Sequence, residues 1–133
     1  MLKVKTRIDK SSHHGIGLFA DEFIPSGTIT WSYDPGFDPT YTHEEIDSMP
    51  LLNKNRFMDF SYIDYKQNKY VLCSDDQRFI NHSDNPNIES TPDADRAIKD
   101  IQIGEEMTCD YEKYEKDWFK NRNLDKNFNK IGP

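Results

Sequence analysis

Apolar and polar residues alternate from the start of the chain. Leu2, Val4, Thr6 and Ile8 are separated by charged or polar neighbours, the period of two that marks a half-buried strand. GIGLFA (15–20) and TITWSY (28–33) read as two further short strands, with Pro25 and Gly27 of the intervening DEFIPSG marking a turn. From Asp34 to about Asn68 the pattern is less regular. Thr42 followed three residues later by Glu45 forms a capping box, which predicts a short helix ending near Pro50. A second short helix is expected over 51–58, with Leu51, Leu52, Phe57 and Met58 packing inward. DFSYIDY (59–65) and KYVLCS (69–74) flank KQN and predict a hairpin. NIEST (87–91) and RAIKDI (96–101) flank PDAD and predict another, and EEMTCDY (105–111) makes a last strand after a turn at Gly104. Many short strands and few helical segments give a mostly β fold class.

Two stretches stand outside this pattern. RFINHSDNPN (78–87) starts with two apolar residues among polar ones and continues with three asparagines, a histidine and a proline, with no repeating buried face. Asparagine side chains both donate and accept, and Pro86 restricts the backbone, so the stretch reads as a loop shaped for hydrogen bonding. Its bonds are either to a polar ligand or to its own backbone. The tail carries Tyr114, Trp118 and Phe119 close to helical spacing, which predicts a C-terminal helix docked on the sheet.

A length of 133 residues allows one ordinary core. Eight Phe, seven Tyr and two Trp supply the large buried area that a disordered chain lacks. No apolar run approaches the roughly 18 residues that would span a bilayer, and the first ten residues lack a signal peptide's hydrophobic stretch. The expectation is a soluble intracellular protein without membrane contact. Cys73 and Cys109 stand far apart, so buried thiols are expected, not a disulfide framework or a zinc site. The net charge is −7, and residues 1–111 carry −9 because the tail is basic. Such a body repels nucleic acid phosphates and favours cationic partners such as lysine-rich peptides.

Among short motifs, GIGLFA matches the dinucleotide-binding pattern but lacks the preceding buried strand and following helix that the fingerprint needs. NHS at 81–83 matches a glycosylation acceptor, which has no meaning without a secretory signal. His13, His14, His43 and His82 have no helical pairing and no carboxylate in a ligand pattern, so no metal is expected.

Taken in order, GIGLFA, RFINHSDNPN and GEEMTCDY resemble the SET-domain family of protein lysine methyltransferases over about residues 3–114. The second and third segments and their spacing across a hairpin are the specific part. The resemblance implies a fold of several small curved β-sheets with short helices, in which the C-terminal segment passes under an earlier loop as a pseudo-knot. General topology rules discard such threading. It also implies an S-adenosylmethionine-dependent methyl transfer to the side-chain amine of lysine in a protein substrate. Gly15, Ile16 and Gly17 would meet the donor's amino-acid end through the backbone. Asn81 and His82 would lie in the knot and bind its methionine moiety, and Tyr111 would be the catalytic tyrosine, acting as an orienter.

The chemistry suits these residue types. At neutral pH roughly one lysine in 2,500 is unprotonated, so the site must supply about 4.6 kcal/mol, which an apolar channel contributes by desolvating the ammonium. Family members with a cysteine-rich zinc segment use it to complete the channel. Here nothing after Cys109 is cysteine, so zinc is not expected, and Tyr114, Trp118 and Phe119 are the candidates to replace it. Trp118 would contact the donor, with residues 115–133 a helical tail near the donor site or lysine channel. Residues 34–70 would form the peptide groove, where Asp34, Asp38, Glu44, Glu45 and Asp47 either pair with a basic peptide or form a solvated face. The chain reads as a minimal stand-alone enzyme of the kind found in bacteria or viruses, cytoplasmic in that case. The alternative reading is a SET domain with weak or no turnover that binds a peptide or partner.

Overall fold

Three small sheets form in the computed structural model, which describes residues 1–91 and 93–131. Pro92 of the PDAD segment and the last two residues of the predicted tail lie outside the described residues. The first sheet contains β1 (Thr6–Lys10), β2 (Ile16–Ala20), β7 (Asn81–His82) and β10 (Glu106–Cys109), in the order β1-β2-β10-β7. The second contains β3 (Ile29–Ser32), β8 (Ile88–Ser90) and β9 (Ala94–Ala97), with β9 central. The third contains β4 (Thr40–Tyr41), β5 (Ser61–Asp64) and β6 (Lys69–Leu72), with β6 central. Between them lie α1 (His43–Asp47), α2 (Leu51–Asp59), a 3₁₀ turn (Asp76–Phe79), α3 (Tyr111–Tyr114) and α4 (Trp118–Asn121). The mostly β architecture is as expected.

The polar stretch that broke the alternation ends up inside the first sheet. Asn81 and His82 pair in parallel with Thr108 and Cys109, while the opposite edge of β10 pairs antiparallel with β2. The segment between β7 and β8 then closes over β10. Asn87 accepts from the Thr108 N–H at 2.9 Å and donates to the Glu106 carbonyl at 2.8 Å, and the Ser83 N–H donates to the Cys109 carbonyl at 3.0 Å. The C-terminal segment therefore runs under an earlier loop, the pseudo-knot. Asparagine suits the position because one side chain offers both a donor and an acceptor to a passing strand.

The core follows from this threading. Leu18, Ile80, Ile88, Met107, Cys109, Tyr111, Trp118 and Phe119 belong to one buried cluster, and Trp31, Tyr62, Val71 and Cys73 to a second. Both cysteines are buried free thiols, as predicted. The capping box also forms, with Thr42 accepting from the Glu45 N–H at 3.1 Å.

Several expectations fail for identifiable reasons. Leu51 and Leu52 do not pack inward: they are 73% and 76% exposed, whereas Phe57 is buried and Met58 half-buried. At 3.6 residues per turn they lie roughly 120–140° around α2 from Phe57, which packs edge-on against Tyr41 and Tyr70. The first strand starts at Thr6, not Leu2, and Ile8 is exposed, because β1 is an outer strand with pairing only to β2. β9 begins at Ala94, two residues before the predicted strand, since Thr91 turns the chain early by accepting from the Ala94 N–H at 3.1 Å. Lys99 and Asp100 leave that sheet, and Ile101 bridges to Ile24.

The single tail helix is instead two one-turn helices. Asp117 between them has left-handed backbone (φ 59°), and the break brings Arg122 back onto Glu115. Glu115 is fully buried and its Oε2 lies 2.5 Å from Arg122 Nη1. Glu115 also accepts from the Ile63 N–H, while Arg122 donates to the carbonyls of Met58, Ser61 and Trp118 and lies 4.0 Å over the Trp118 ring. Removing one partner of such a pair strands the other's charge in the interior. Glu115→Ala is therefore expected to lose about 3–5 kcal/mol in urea unfolding, and a Glu115→Leu/Arg122→Met pair to lose much less. A loss under about 1 kcal/mol for the single change would show that the pair does not hold the tail.

Candidate active site

The glycine loop, Asn81 and Tyr111 converge on one cleft, held by a carboxylate from the last strand. Glu106 accepts from the Ser11 hydroxyl at 2.7 and 2.8 Å, and Ser11 in turn accepts from the His13 and His14 N–H groups. Asn81 Nδ2 shares its protons among the His14 carbonyl (2.8 Å), the Ile16 carbonyl (3.3 Å) and Glu106 Oε2 (3.1 Å). Loop, knot and last strand thus meet at one carboxylate. Gly15 is left-handed (φ +48°) with open space where a Cβ would stand, so its requirement is conformational. Gly17 is a different case: a Cβ there would come within 2.5 Å of Glu106 Oε2. Its absence of a side chain makes room for the carboxylate.

Tyr111 begins α3, where Asp110 caps by accepting from the Glu112 N–H at 3.0 Å. Its phenol donates to the Ile80 carbonyl through a short bond, and its N–H donates to His82 Nδ1 at 3.2 Å. Since Nδ1 accepts, the neutral ring carries its proton on Nε2, which lies 2.9 Å from Asp84 Oδ1. Burial raises the Tyr111 phenol well above its ordinary range, with neighbouring Cys109 adding to the rise. At neutral pH Tyr111 is a fixed, uncharged hydrogen-bond donor.

The cleft has a volume of about 740 Å³, within the usual range for small-molecule sites. Gly15, Ile16, Asn81, Tyr111 and Trp118 line it. Gly17 stands behind it against Glu106, and the His82 ring turns away to pack on Tyr111 and Phe119. Of the residues expected to bind the donor, Gly17 and His82 do not line this cleft. Trp118 is only 3% exposed and tilted against Tyr111 at 4.5 Å between ring centroids, so it is a core residue as well as a wall residue. Tyr114 and Phe119 do not line the cleft; Tyr114 lines a smaller cavity of about 40 Å³ that shares Tyr111 and Trp118 with it.

Several site residues escaped sequence reasoning. His14 and Phe128 stack at 4.0 Å with 12° between planes, which joins the glycine loop to the far end of the tail. Phe128 is ten residues beyond Trp118, outside any helical register with it. Lys54, Arg56, Arg78, Arg122 and Lys130 line the cleft against one acid, Asp59. That local excess of positive charge is invisible in a chain of net charge −7. Burial pushes the Asp59 carboxyl up, with Arg56 and Arg122 opposing the rise. Of the five acids proposed for a peptide groove, Asp38 is withdrawn, being fully buried and accepting from the N–H groups of Asp34 and Ser74. Glu44, Glu45 and Asp47 are exposed on α1, with Asp47 paired to Lys54 at 3.0 Å. Among the described residues no helix is long and apolar enough to cross a membrane.

The SET-domain family model matches residues 15–112. The chain belongs to the SET-domain family. Solved structures of SET-domain proteins share the fold. In a humanized mutant of the Chaetomium thermophilum Polycomb Repressive Complex 2 bound to the inhibitor GSK126, the similar chain is 25% identical with a TM-score of 0.64. The match covers 90% of the present chain and 16% of that one. A candidate histone methyltransferase of Plasmodium falciparum is 25% identical, with a TM-score of 0.59, over 83% of the present chain and 95% of its own. ctPRC2 in an autoinhibited conformation bound to S-adenosylmethionine is 24% identical, with a TM-score of 0.66, over 92% of the present chain and 17% of that one. The SET domain therefore spans about a sixth of the Polycomb chains it matches. No curated protein sequence matches significantly.

Within this SET domain the Glu106 clamp makes a specific prediction. Gly17→Ala should cost about 1–3 kcal/mol by displacing the carboxylate, and the cost should largely vanish in a Glu106→Ala background. A double-mutant cycle by denaturant unfolding measures this, and additive losses would place the strain elsewhere.

Proposed function

We propose that this SET domain is an S-adenosylmethionine-dependent methyltransferase acting on the side-chain amine of lysine in a basic protein substrate. The observation that carries the reading is Tyr111: a buried neutral phenol, fixed on the Ile80 carbonyl, that stands in the common wall of the large cleft and the small inner cavity. Membership of the family and similarity to a candidate histone methyltransferase support it.

The cleft fits the donor. Its volume suits a nucleoside-sized ligand, and it presents both cationic side chains for a carboxylate and aromatic surface for a base. The Trp118 indole N–H is buried without a partner, a group that a ligand or water would satisfy. Gly15 and Ile16 would offer backbone groups, Asn81 the polar floor, and Trp118 and Phe128 the aromatic cover. When bound, the donor supplies an activated methyl group on a positively charged sulfur.

The remaining work belongs to the chain. His82 positions the Tyr111 backbone, and Tyr111, its hydroxyl held on the Ile80 carbonyl, is a residue that the cleft and the small cavity share. An amine arriving between Tyr111, Tyr114 and Trp118 loses water to aromatic walls, which disfavours the ammonium form. Fixed alignment of amine and methyl group then supplies the rate advantage of proximity. The exposed acids of α1 and the acidic charge of residues 1–111 suit a basic peptide. On this reading the segment 115–131 takes the place of a separate closing segment.

Calorimetric titration with S-adenosylmethionine and its demethylated product, followed by methylation of a lysine-rich protein read by mass, tests the reading. Tyr111→Phe is expected to keep donor affinity and to lose turnover by about 10²-fold or more. No binding of either compound would remove the cofactor assignment, and normal turnover by the variant would remove the role of Tyr111.

A further inference from the structure

Among the described residues, the buried side-chain atoms Trp31 Nε1, Ser61 Oγ, Gln77 Oε1 and Trp118 Nε1 lack a hydrogen-bond partner. All four residues line the same small cavity of about 40 Å³, which Tyr111 also lines. Unsatisfied buried groups are uncommon in native proteins, and here four gather around one space. The same wall contains Asp95, which is 4% exposed. Its carboxylate accepts hydrogen bonds from Gln77 Nε2 at 2.5 Å and from the Ser90 side chain, and it has no ion-pair partner among the described residues. A buried acid without a counter-charge is costly and marks a site of function more often than of stability.

The groups nearest Asp95 are titratable and, apart from the Arg78 guanidinium and Asp59 that also line the cavity, neutral at pH 7. Its register partners are Trp31 on β3 and Ser90 on β8. Burial holds the nearby Tyr62, Cys73 and Cys109 in their neutral forms by raising each of them. Asp59 and Arg78 also line the cavity, with the Arg78 guanidinium bonded to the Cys73 carbonyl and lying over Phe60. The volume of about 40 Å³ admits about three or four waters at ~10–15 Å³ each, which would share the orphaned atoms and one another as partners.

We propose that this cavity holds a small internal water cluster connecting Asp95 to the inner face of Tyr111, and that Asp95 receives the proton of the acceptor amine. The proposal rests on the methyl-transfer reading. In the step an amine N–H bond breaks, its electron pair remains on nitrogen, and the proton passes through water to a carboxylate oxygen. The ammonium and carboxylate become a neutral amine and a carboxylic acid, the arrangement that a low-dielectric interior favours. The proton returns to solvent when the product leaves. Desolvation pushes the Asp95 carboxyl up to about 7, against the hydrogen bonds from Ser90 and Gln77 that lower it, so at neutral pH it both accepts and releases.

Three linked measurements test this. Carbon-13 NMR titration of aspartate-labelled protein should show Asp95, assigned by its loss in Asp95→Asn, with a midpoint near 7; a midpoint near that of an ordinary carboxylate overturns the proposal. Turnover of Asp95→Asn, with donor affinity unchanged, should fall about 10²-fold at pH 7 and recover towards wild type at high pH, where amines shed their protons unaided. Gln77→Met, which removes a bond that lowers the Asp95 midpoint, should move that midpoint and the inflection of the pH–rate profile upward together.

Stability supplies an internal check. The folded-state value lies above the ordinary 3.8, so between about pH 4 and 7 the unfolded chain gives up this proton first. Asp95 therefore lowers stability as pH rises through that window, and Asp95→Asn should gain thermal stability at pH 8 relative to pH 4. An active wild type indifferent to Asp95→Asn overturns the proton route alone. A wild type that methylates no lysine-rich protein, with Asp95 still titrating near 7, overturns the methyl-transfer reading and the proton route with it.

Discussion

Glu115 and Arg122 form the interaction on which the rest of the site depends. A carboxylate and a guanidinium buried together are stable only if their remaining hydrogen-bonding capacity is filled, and here it is filled from three directions. The Ile63 N–H comes from β5, the Met58 carbonyl from the end of α2, and the Trp118 carbonyl from α4. The pair thereby fixes the tail against the third sheet. It also seats Trp118 under the guanidinium, where the indole faces Tyr111. Without that anchor, two one-turn helices would have little reason to form, since isolated helices of this length are not stable.

A second polar centre does for the glycine loop what the ion pair does for the tail. Glu106 joins Ser11 and Asn81, so one carboxylate connects the glycine loop, the knot and the last strand. Both centres use charge or amide groups inside the fold. Such groups tie distant segments together by direction and distance, which apolar packing does not. The consequence is a site assembled from residues far apart in sequence with little helix or sheet behind it.

Legibility in the sequence varied with the range of the interaction involved. The α1 cap, the β5–β6 hairpin and the last strand were readable because their causes lie within a few residues. Leu51 and Leu52 were misread because apolar character alone does not say which face of a short helix meets the core. Asn81 and Tyr111 were found through motifs and their order, and the structure brings them to one cleft. Ser11, Glu106, Phe128 and Asp95 carried no local signal: a serine, two acids and a lone aromatic are ordinary until the fold brings their partners close.

What the sequence determined by itself was the class of fold, the strand-forming segments and the family. Each of these is recorded in local pattern or in the order of short motifs. What only the tertiary structure decided was which polar groups are buried together. The parallel pairing of β7 with β10, the buried Glu115–Arg122 pair, the His14–Phe128 stack and the cavity beside Asp95 all join segments through contacts that period and propensity do not encode. The physical reason is that burial of a polar group is acceptable only where a partner is supplied, and the threading of the chain decides where that is.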